Sequence, residues 1–289
     1  MQTNAPETMG VIYRLQMSQL HPHPQNPFSI RDDQSMLDLI QSVQSHGVLV
    51  PAIARPRPDG EYEIIAGHRR KHASELAGLD FMPVVVLDLN DDEAIIQLVD
   101  SNIQRENILP SERAKAYKMR MEAMKRQGAR TDLTSPNISA KFRSDDELGQ
   151  EVGVSGDTIR NYASLTNLVP GLMQMVDEGR IKLSPAYQIA ALPHNEQSLL
   201  LDTIESEQAT PSLSQAQRMK RLSQNGELNE DVLLEIMMEQ KKPVRNDIIL
   251  SGEKLRKFFP KSYSPIQMEN VIFKLLEAWQ RKRQRDQSR

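Results

Sequence analysis

The stretch Glu147–Leu165, ELGQEVGVSGDTIRNYASL, decides how the middle of the chain folds. Leu148 and Val152 lie four residues apart, which places both side chains on one face of a helix. Gly153 permits a sharp turn, and Ser155 is a residue type that favours the N-cap of a second helix. The spacing predicts two short helices joined by a tight turn, which is the helix-turn-helix arrangement.

The second of these helices presents polar side chains that suit contact with DNA. In a helix-turn-helix, the second helix enters the major groove with its N-terminal end first, and Arg and Asn can each form two hydrogen bonds to a base edge. The candidate DNA-binding residues are Ser155, Asp157, Thr158, Arg160 and Asn161. The alternative is an ordinary pair of packed helices, because helix pairs joined by a glycine turn are common.

A local excess of basic residues precedes the motif. Between residues 113 and 143 the chain has nine Lys and Arg residues but only two acids, Glu122 and Asp132. The basic residues are Arg113, Lys115, Lys118, Arg120, Lys125, Arg126, Arg130, Lys141 and Arg143. Such an excess attracts DNA phosphates and favours DNA binding, whereas the alternative is a solvated charged face.

Composition limits the classes of protein to which the chain can belong. The 289 residues include 36 Lys and Arg against 39 Asp and Glu, so the net charge is −3. This charge excludes a globally basic, histone-like chain, and DNA contact requires a local patch. The absence of cysteine excludes disulfides, thiolate metal sites and thiol nucleophiles. No apolar run approaches the roughly 18 residues of a membrane helix, so we expect a soluble, cytoplasmic protein without membrane contact.

Strands and helices alternate before the motif, whereas helices dominate after it. Short apolar runs at Val48–Arg55, Tyr62–Ala66 and Pro83–Leu87 predict strands, and residues 1–25 show little periodicity. From residue 110 onward the pattern predicts helices, apart from a short strand at Ile248–Leu250. We therefore expect an α+β protein with a mixed α/β N-terminal domain over 1–107, an all-α helix-turn-helix domain over 108–208, a helical linker over 209–243 and a small, mostly helical C-terminal segment over 244–289.

A run of cations stands where a helix is predicted to begin. Gly67–His72 (GHRRKH) follows a predicted strand and opens the next helix. Cations at a helix N-terminus face the positive end of the helix dipole, which costs about 0.3–1 kcal/mol each. A bound polyphosphate would reverse this cost, because the free N–H groups and the arginines would become its ligands. The alternative is that Arg69 and Arg70 pair with nearby carboxylates such as Glu61, Glu63 or Glu75.

A second polar run, Asp100–Asn107 (DSNIQREN), closes the helix predicted at Asp91–Ile103 and precedes Pro110. Amides and charges at this density cannot all be buried in a core. The run is therefore either a solvated helix end or one half of a binding site.

Together these segments resemble the ParB-type chromosome and plasmid partition proteins. The resemblance covers about residues 15–195 and depends on the order and spacing of several segments. They are GVLVPAIARP at 47–56, YEIIAGHRRKHASELAGL at 62–79, MPVVVLDLNDDEA at 82–94, NIQRENILPSERAKAY at 102–117, ELGQEVGVSGDTIRNYASLTNLVPGL at 147–172 and VDEGRIKLSPAYQIAAL at 176–192.

The resemblance implies a nucleotide-binding N-terminal domain, a central DNA-binding domain and a C-terminal dimerisation domain. Members of this family bind CTP with Mg²⁺ and load at a palindromic, centromere-like site on double-stranded DNA. They close as a clamp that slides along DNA, and they stimulate a Walker-type partition ATPase. By resemblance we expect a nucleoid-associated homodimer that takes part in chromosome or plasmid segregation.

The resemblance also implies a set of nucleotide-binding residues drawn from three motifs. They are Gly47, Gly67, His68, Arg69, Arg70, Asn102, Gln104 and Arg105. Within this set, Gly67, Arg69 and Arg70 would hold the triphosphate, and Asn102 is the candidate Mg²⁺ ligand.

Two positions depart from the family's pattern. The family usually has Glu where this chain has His68 and where it has Ser101, and the second Glu is associated with Mg²⁺ and hydrolysis. Serine brings no negative charge to a cation that prefers carboxylate oxygens, and Asp100 points about 100° away on a helix. We therefore expect CTP binding rather than efficient CTP hydrolysis. The same departures leave open a transcriptional or copy-number regulator that keeps the fold without CTP switching.

The C-terminal segment resembles the family least. Its last helix is predicted to begin at Ser264-Pro265, and its apolar residues would form a dimer seam. These residues are Ile266, Val271, Leu275, Ala278 and Trp279. The basic tail after residue 280 would bind DNA without sequence preference or form a solvated end. A palindromic DNA site favours the dimer, because it calls for a two-fold protein.

Overall fold

The computed structural model describes residues 11–105, 108–132, 144–239, 255–260 and 262–287. The chain divides after Glu239 into two compact units. The first unit contains a β-sheet with flanking helices, followed by a helical part, and this order confirms the predicted α+β class. None of the helices in the described part of the chain combines the length and the apolar character that a membrane span requires.

A five-stranded mixed sheet forms the centre of the N-terminal domain. Its strands are β1 (Ile12–Gln16), β2 (Leu20–Pro22), β3 (Ala52–Pro56), β4 (Tyr62–Ala66) and β5 (Phe81–Val86), in the order β1-β5-β3-β4-β2. β3 runs antiparallel to β4 and parallel to β5, while β1 pairs antiparallel to β5 and β2 parallel to β4. The three predicted strands are confirmed, although the first of them begins at Ala52 rather than Val48.

The strands β1 and β2 were not predicted, since both lie where the sequence shows little periodicity. β1 is an edge strand, and four of its five side chains are exposed, so it lacks the alternation of apolar and polar residues that marks a half-buried strand. β2 has only three residues, which is too short for a pattern to appear.

Three helices cover the two faces of this sheet. They are α1 (Gln34–His46), α2 (His68–Leu76) and α3 (Asp91–Asp100). The adjacent residues Ile64 and Ile65 of β4 are both fully buried but belong to different apolar clusters, because successive side chains of a strand point to opposite faces. Ile65 packs with α3, whereas α1 and α2 pack on each other through a further cluster of Met36, Val43 and Ala73.

Eight α-helices are described in the rest of the first unit. They are α4 (Pro110–Asp132), α5 (Ser144–Val152), α6 (Gly156–Ser164), α7 (Pro170–Asp177), α8 (Leu183–Ile189), α9 (His194–Glu207), α10 (Leu213–Gln224) and α11 (Glu230–Met238). Met219 of α10 and Ile236 of α11 belong to the same buried cluster as Leu172 and Leu200. The segment that the sequence suggested as a helical linker therefore contributes both its helices to this core.

The second unit is described over residues 255–260 and 262–287. Its main element is α12 (Pro265–Gln287), which begins where the Ser264-Pro265 pair predicted a helix start. The side chain of Ser264 accepts a hydrogen bond from the backbone N–H of Gln267, as an N-cap residue does. Met268 is buried, but five other large apolar residues are exposed in the single chain: Ile266, Phe273, Leu275, Leu276 and Trp279. The predicted strand Ile248–Leu250 lies outside the described residues.

Candidate functional site

The junction of β4 and α2 brings a glycine close to the sheet. Gly67 has φ +107°, a left-handed conformation that favours glycine, and a Cβ at this position would lie 2.8 Å from the Cβ of Ala52 on β3. α2 then begins with neither a side-chain cap nor an acidic residue in its first turn. The positive end of its dipole is therefore left uncompensated by the residues of its own first turn.

Two arginines of α2 flank this helix start and bind different partners. Arg69 Nη2 lies 3.4 Å from Asp33 Oδ1 and donates to Ser35 Oγ at 2.5 Å. Arg70 Nη1 donates to the backbone carbonyls of Val50 and Pro51 at 2.5 and 2.6 Å. Burial lowers the pKa of Arg70 from its ordinary value. Among the described residues no carboxylate pairs with Arg70, so its charge is balanced by carbonyl dipoles alone.

The suggested ion pairs of these arginines with Glu61, Glu63 and Glu75 are not formed. Glu61 pairs with His21, Glu63 lies 2.6 Å from Arg55 Nε, and Glu75 pairs with Lys71 on the next turn of α2. Each of these three carboxylates instead pairs with a basic residue on a neighbouring strand or on the same helix. Arg69 and Arg70 are therefore directed elsewhere.

A cavity of about 280 Å³ lies beside the start of α2. It combines three arginines with two carboxylates and two hydroxyls, and its volume is near the lower end of that of ligand pockets. Its lining residues are Phe28, Ser29, Arg31, Asp33, Ser35, Arg69, Arg105, Ile108 and Glu112. Arg69 and Arg105 were predicted from the sequence, whereas Arg31, Asp33 and Glu112, which come from distant segments, were not.

Arg105 completes the cationic side of the cavity. Burial lowers its pKa, and the charges of Arg69 and Arg70 lower it further, whereas Glu112 opposes them. Arg69 and Arg70 thus lie close enough for their charges to act on Arg105, and an added anion would stabilise its charged form. A phosphate group fits this arrangement, because arginine binds phosphate with paired, charge-assisted hydrogen bonds.

His68 does not take part in the cavity. Its side chain is 7% exposed, its Nε2 atom has no hydrogen-bond partner, and it is absent from the cavity wall. Burial lowers its pKa to about 4, with further lowering from the charges of Arg105, His23 and Lys71. The ring is therefore neutral at pH 7 and adds no positive charge to the site.

Five other expected nucleotide-binding residues also lie outside the cavity wall: Gly67 and Arg70 at the start of α2, and Gly47, Asn102 and Gln104. Gly47 ends α1 with φ +71°, and nothing lies within 4 Å of where its Cβ would be. Asn102 is 4% exposed, and its amide donates to Leu98 O at 2.8 Å at the end of α3. Gln104 lines a separate pocket with Leu148 of α5. Asn102 and Gln104 have different partners because α3 ends at Asp100 and both residues follow it in a turn.

Asp100, the acidic residue beside Ser101, forms an ion pair with Arg120 of α4. Asp100 accepts from Arg120 Nε at 2.6 Å and from Nη2 at 3.1 Å, and Arg120 also pairs with Glu151 of α5. Ser101 Oγ donates to Leu98 O. Neither residue replaces the missing glutamate, and the described residues contain no group of three side chains suited to a metal ion. Asp100 and Ser101 are thus both engaged in contacts within the unit.

The helix-turn-helix forms as the spacing predicts. α5 and α6 are joined at Gly153, which has φ +74°, and Ser155 Oγ accepts from the backbone N–H of Thr158 at 3.2 Å. Leu148 and Ile159 are buried in one cluster with Tyr117 of α4. The N-cap and the apolar contacts set the angle of α6 and leave its polar face uncovered within the unit.

The candidate DNA-binding residues differ in exposure and in the contacts that they already form within the unit. Asp157 and Asn161 are exposed, whereas Ser155 and Thr158 share the hydrogen bonds of the cap. Arg160 forms ion pairs with Asp145 of α5 and with Asp157. Its side chain is partly exposed, but Arg160 must break these ion pairs before it can bind a base.

Only part of the basic stretch on α4 is available to bind phosphate. Arg120 is buried in its ion pairs and Arg113 lies over the ring of Tyr162. Lys115, Lys118 and Lys125 are exposed, and Lys118 Nζ lies 3.3 Å from Thr166 Oγ1 beside α6. The side chains of Arg130, Lys141 and Arg143 lie outside the described residues.

Comparison with known families matches both of these regions. Residues 1–103 match the ParB N-terminal domain, and residues 137–223 match the ParB HTH domain. The chain belongs to the ParB family. The β-sheet and the start of α2 lie in the first matched region and α5 and α6 in the second, so the predicted resemblance to this family is confirmed. The cavity also takes Arg105, Ile108 and Glu112 from the segment between the two matched regions.

Among relatives, the chain is 31% identical over 187 residues to the chromosome-partitioning protein Spo0J of Thermus thermophilus, which is 65% of this chain and 62% of the relative. It is 33% identical over 180 residues to the probable chromosome 1-partitioning protein ParB of Deinococcus radiodurans, covering 62% and 56%. It is 29% identical over 245 residues to the stage 0 sporulation protein J of Bacillus subtilis, covering 84% and 77%. The matches thus span less than two thirds of the first two relatives.

Two of the solved structures that match this chain are C-terminally truncated forms of the chromosome-partitioning protein ParB from Caulobacter crescentus. The form complexed to the centromeric parS site has a TM-score of 0.45 at 25% identity and covers 74% of this chain and 99% of that one. The form complexed with CTP-γ-S has a TM-score of 0.32 at 27% identity and covers 68% and 99%.

Proposed function

We propose that this protein binds a specific DNA site through α5 and α6 as part of a segregation system. The observation that carries the proposal is that the matched ParB HTH domain coincides with a capped helix pair whose second helix keeps Asn161 and Asp157 exposed. Lys115, Lys118 and Lys125 of the adjoining α4 would contact phosphates on either side of the groove. The DNA is a palindromic, centromere-like site, bound by a homodimer whose two-fold axis matches that of the DNA.

We also propose that the cavity beside α2 binds CTP through its phosphates. Arg69 and Arg105 line the cavity, and Arg70 lies at the same helix start, where Gly67 allows close approach of a ligand to the backbone. When bound, Mg²⁺ would neutralise part of the triphosphate charge. With Ser101 and His68 at the two positions where the family usually has Glu, this chain would bind CTP with weak hydrolysis at most.

The role that follows is a CTP-dependent clamp in chromosome or plasmid segregation. The clamp would load at its DNA site, slide along DNA on the nucleoid and interact with a Walker-type partition ATPase. Membership in the ParB family and the three named chromosome-partitioning and sporulation relatives support this role. The second candidate is a DNA-binding regulator without CTP switching, and His68 and Ser101, at the two positions where the family usually has Glu, favour it.

The test is CTP binding and phosphate release by the purified full chain, with ATP, GTP and UTP as controls, with and without DNA that carries the palindromic site. CTP-selective binding that changes with the DNA supports the clamp. Selective binding without phosphate release supports a clamp that resets by nucleotide release. The absence of binding to any nucleotide, with intact DNA binding, refutes the CTP proposal and leaves the regulator.

A further inference from the structure

A buried carboxylate from the helical part of the unit reaches into the cationic cavity. Glu112, in the first turn of α4, is 8% exposed and lines the cavity together with Arg31, Arg69 and Arg105. Its sequence neighbours belong to the helix that packs against the helix-turn-helix. Its presence in this wall is therefore a contact between the two parts of the unit.

Glu112 is held by donors from both sides of this contact. Its Oε1 accepts from the backbone N–H of Ser29 at 3.0 Å and from the Ser29 hydroxyl, and it lies 3.5 Å from Arg31 Nη2. Its Oε2 accepts from the backbone N–H of Leu109 at 3.1 Å, which caps the start of α4. The Glu112 carboxylate thus caps α4 and binds it to the segment that precedes α1.

The carboxylate is ionised at neutral pH. Burial by itself would raise the pKa of Glu112, but the hydrogen bonds from Ser29 and Leu109 and the charge of Arg31 outweigh burial and lower the pKa below its ordinary value. Glu112 also counteracts the lowering of the pKa of Arg105. The cavity therefore already contains an anion that partly balances its arginines.

An incoming phosphate and Glu112 would compete for one set of positive charges. Two anions that share a small, partly buried site repel each other, and the repulsion is relieved when one of them leaves or is protonated. Arg31 lies 3.5 Å from the carboxylate, and the charges of Glu112, Arg69 and Arg70 all act on Arg105. A phosphate that binds these arginines also weakens their attraction for Glu112.

We propose that Glu112 acts as an internal stand-in for a phosphate, and that a phosphate-containing ligand displaces it and releases the first turn of α4 from Ser29 and Arg31. This inference rests on the proposed nucleotide function of the cavity. Tyr117, five residues further along α4, is packed against Leu148 and Ile159 of the helix-turn-helix. A movement at the start of α4 would therefore reach α5 and α6 through the packing of Tyr117.

The first test is the full chain with Glu112→Gln, titrated by calorimetry with CTP and separately with inorganic tripolyphosphate. Glutamine keeps an oxygen for the N–H of Leu109 but removes the charge, so we expect both ligands to bind about tenfold more tightly, as removal of a nearby like charge predicts. Glu122→Gln is the matched control, because Glu122 is an exposed acid of the same helix outside the cavity. It should leave both affinities within about twofold.

The second test uses the unmodified chain and does not depend on the folding of a variant. Amide hydrogen exchange at Ser29 and Leu109, measured by NMR, should become faster when CTP is added, because both N–H groups lose Glu112 as their acceptor. A ligand that merely stabilises the fold would slow their exchange.

The outcomes separate this inference from the proposed function. CTP binding by the unmodified chain, together with unchanged or weaker binding by Glu112→Gln or with slower exchange at both amides, overturns the displacement but leaves the nucleotide site standing. If neither CTP nor tripolyphosphate binds the unmodified chain or the variant, the nucleotide site is refuted and the displacement with it.

Discussion

Replacing Gly67 by alanine should destabilise the N-terminal domain by about 2–5 kcal/mol. The left-handed backbone at φ +107° costs an L-residue about 1–2 kcal/mol, and the new Cβ would lie 2.8 Å from Ala52 Cβ and 3.1 Å from its Cα. These neighbours belong to the strand β3 and cannot rotate away, so overpacking adds about 1–3 kcal/mol. Gly78 provides the control, since it has φ +77° but nothing lies within 4 Å of where its Cβ would be.

The assay is urea unfolding of the two full-length variants, followed by circular dichroism. Gly78→Ala should lose only about 1–2 kcal/mol, the backbone cost. The contact with Ala52 then appears as a further loss of about 1–3 kcal/mol in Gly67→Ala. Equal losses in the two variants would show that the strand accommodates the methyl group and that the close approach of Gly67 to β3 is unimportant. CTP affinity should fall in Gly67→Ala alone, because the methyl group shifts Arg69 and Arg70 at the start of α2.

Three further predictions concern single side chains. Arg70→Ala should weaken CTP binding by about tenfold or more and leave specific DNA binding unchanged, and equal CTP affinity would contradict the assignment of Arg70. Arg160→Ala should weaken binding to the specific DNA by about 1–3 kcal/mol, whereas an unaltered DNase footprint would place the recognition helix elsewhere. His68 is neutral when folded, with a pKa of about 4, but takes up a proton near pH 6.5 when unfolded. The free energy of unfolding should therefore fall as the pH drops from about 6.5 to 4, and His68→Gln should flatten this slope; an unchanged slope would contradict it.

Helix boundaries could be predicted well because the signals that set them are local. Ser155 caps α6 and Ser212 caps α10, and each accepts from a backbone N–H three residues later, as such residues do at helix starts. Asn229 does the same for α11. β1 could not be predicted, since an exposed edge strand is defined by its pairing with β5, which lies almost 70 residues further along the chain.

The cavity could be predicted only in part, because its residues come from segments that the sequence does not connect. Arg69 was identified since cations at a helix start need an explanation that lies within one segment. Arg31 and Glu112 carry no such local signal, and they meet only because α4 packs against the segment before α1. Conversely, Gln104 lies in the expected motif but points to a different pocket, because the turn after α3 separates it from Arg105.

The ion pairs of Arg160 add a free-energy cost to base recognition, because they must break before Arg160 binds a base. The sequence could not reveal these pairs. Asp145 and Asp157 hold the guanidinium in the free protein, so DNA must replace two carboxylates before a base contact forms. Asp145 is buried, and it would lose a charged partner when Arg160 turns to a base. A buried carboxylate without its partner is costly, so only a base that binds Arg160 through two hydrogen bonds offsets the exchange. Asp145 would thus increase discrimination between DNA sites, and Asp145→Asn should relax specificity while strengthening binding to non-specific DNA.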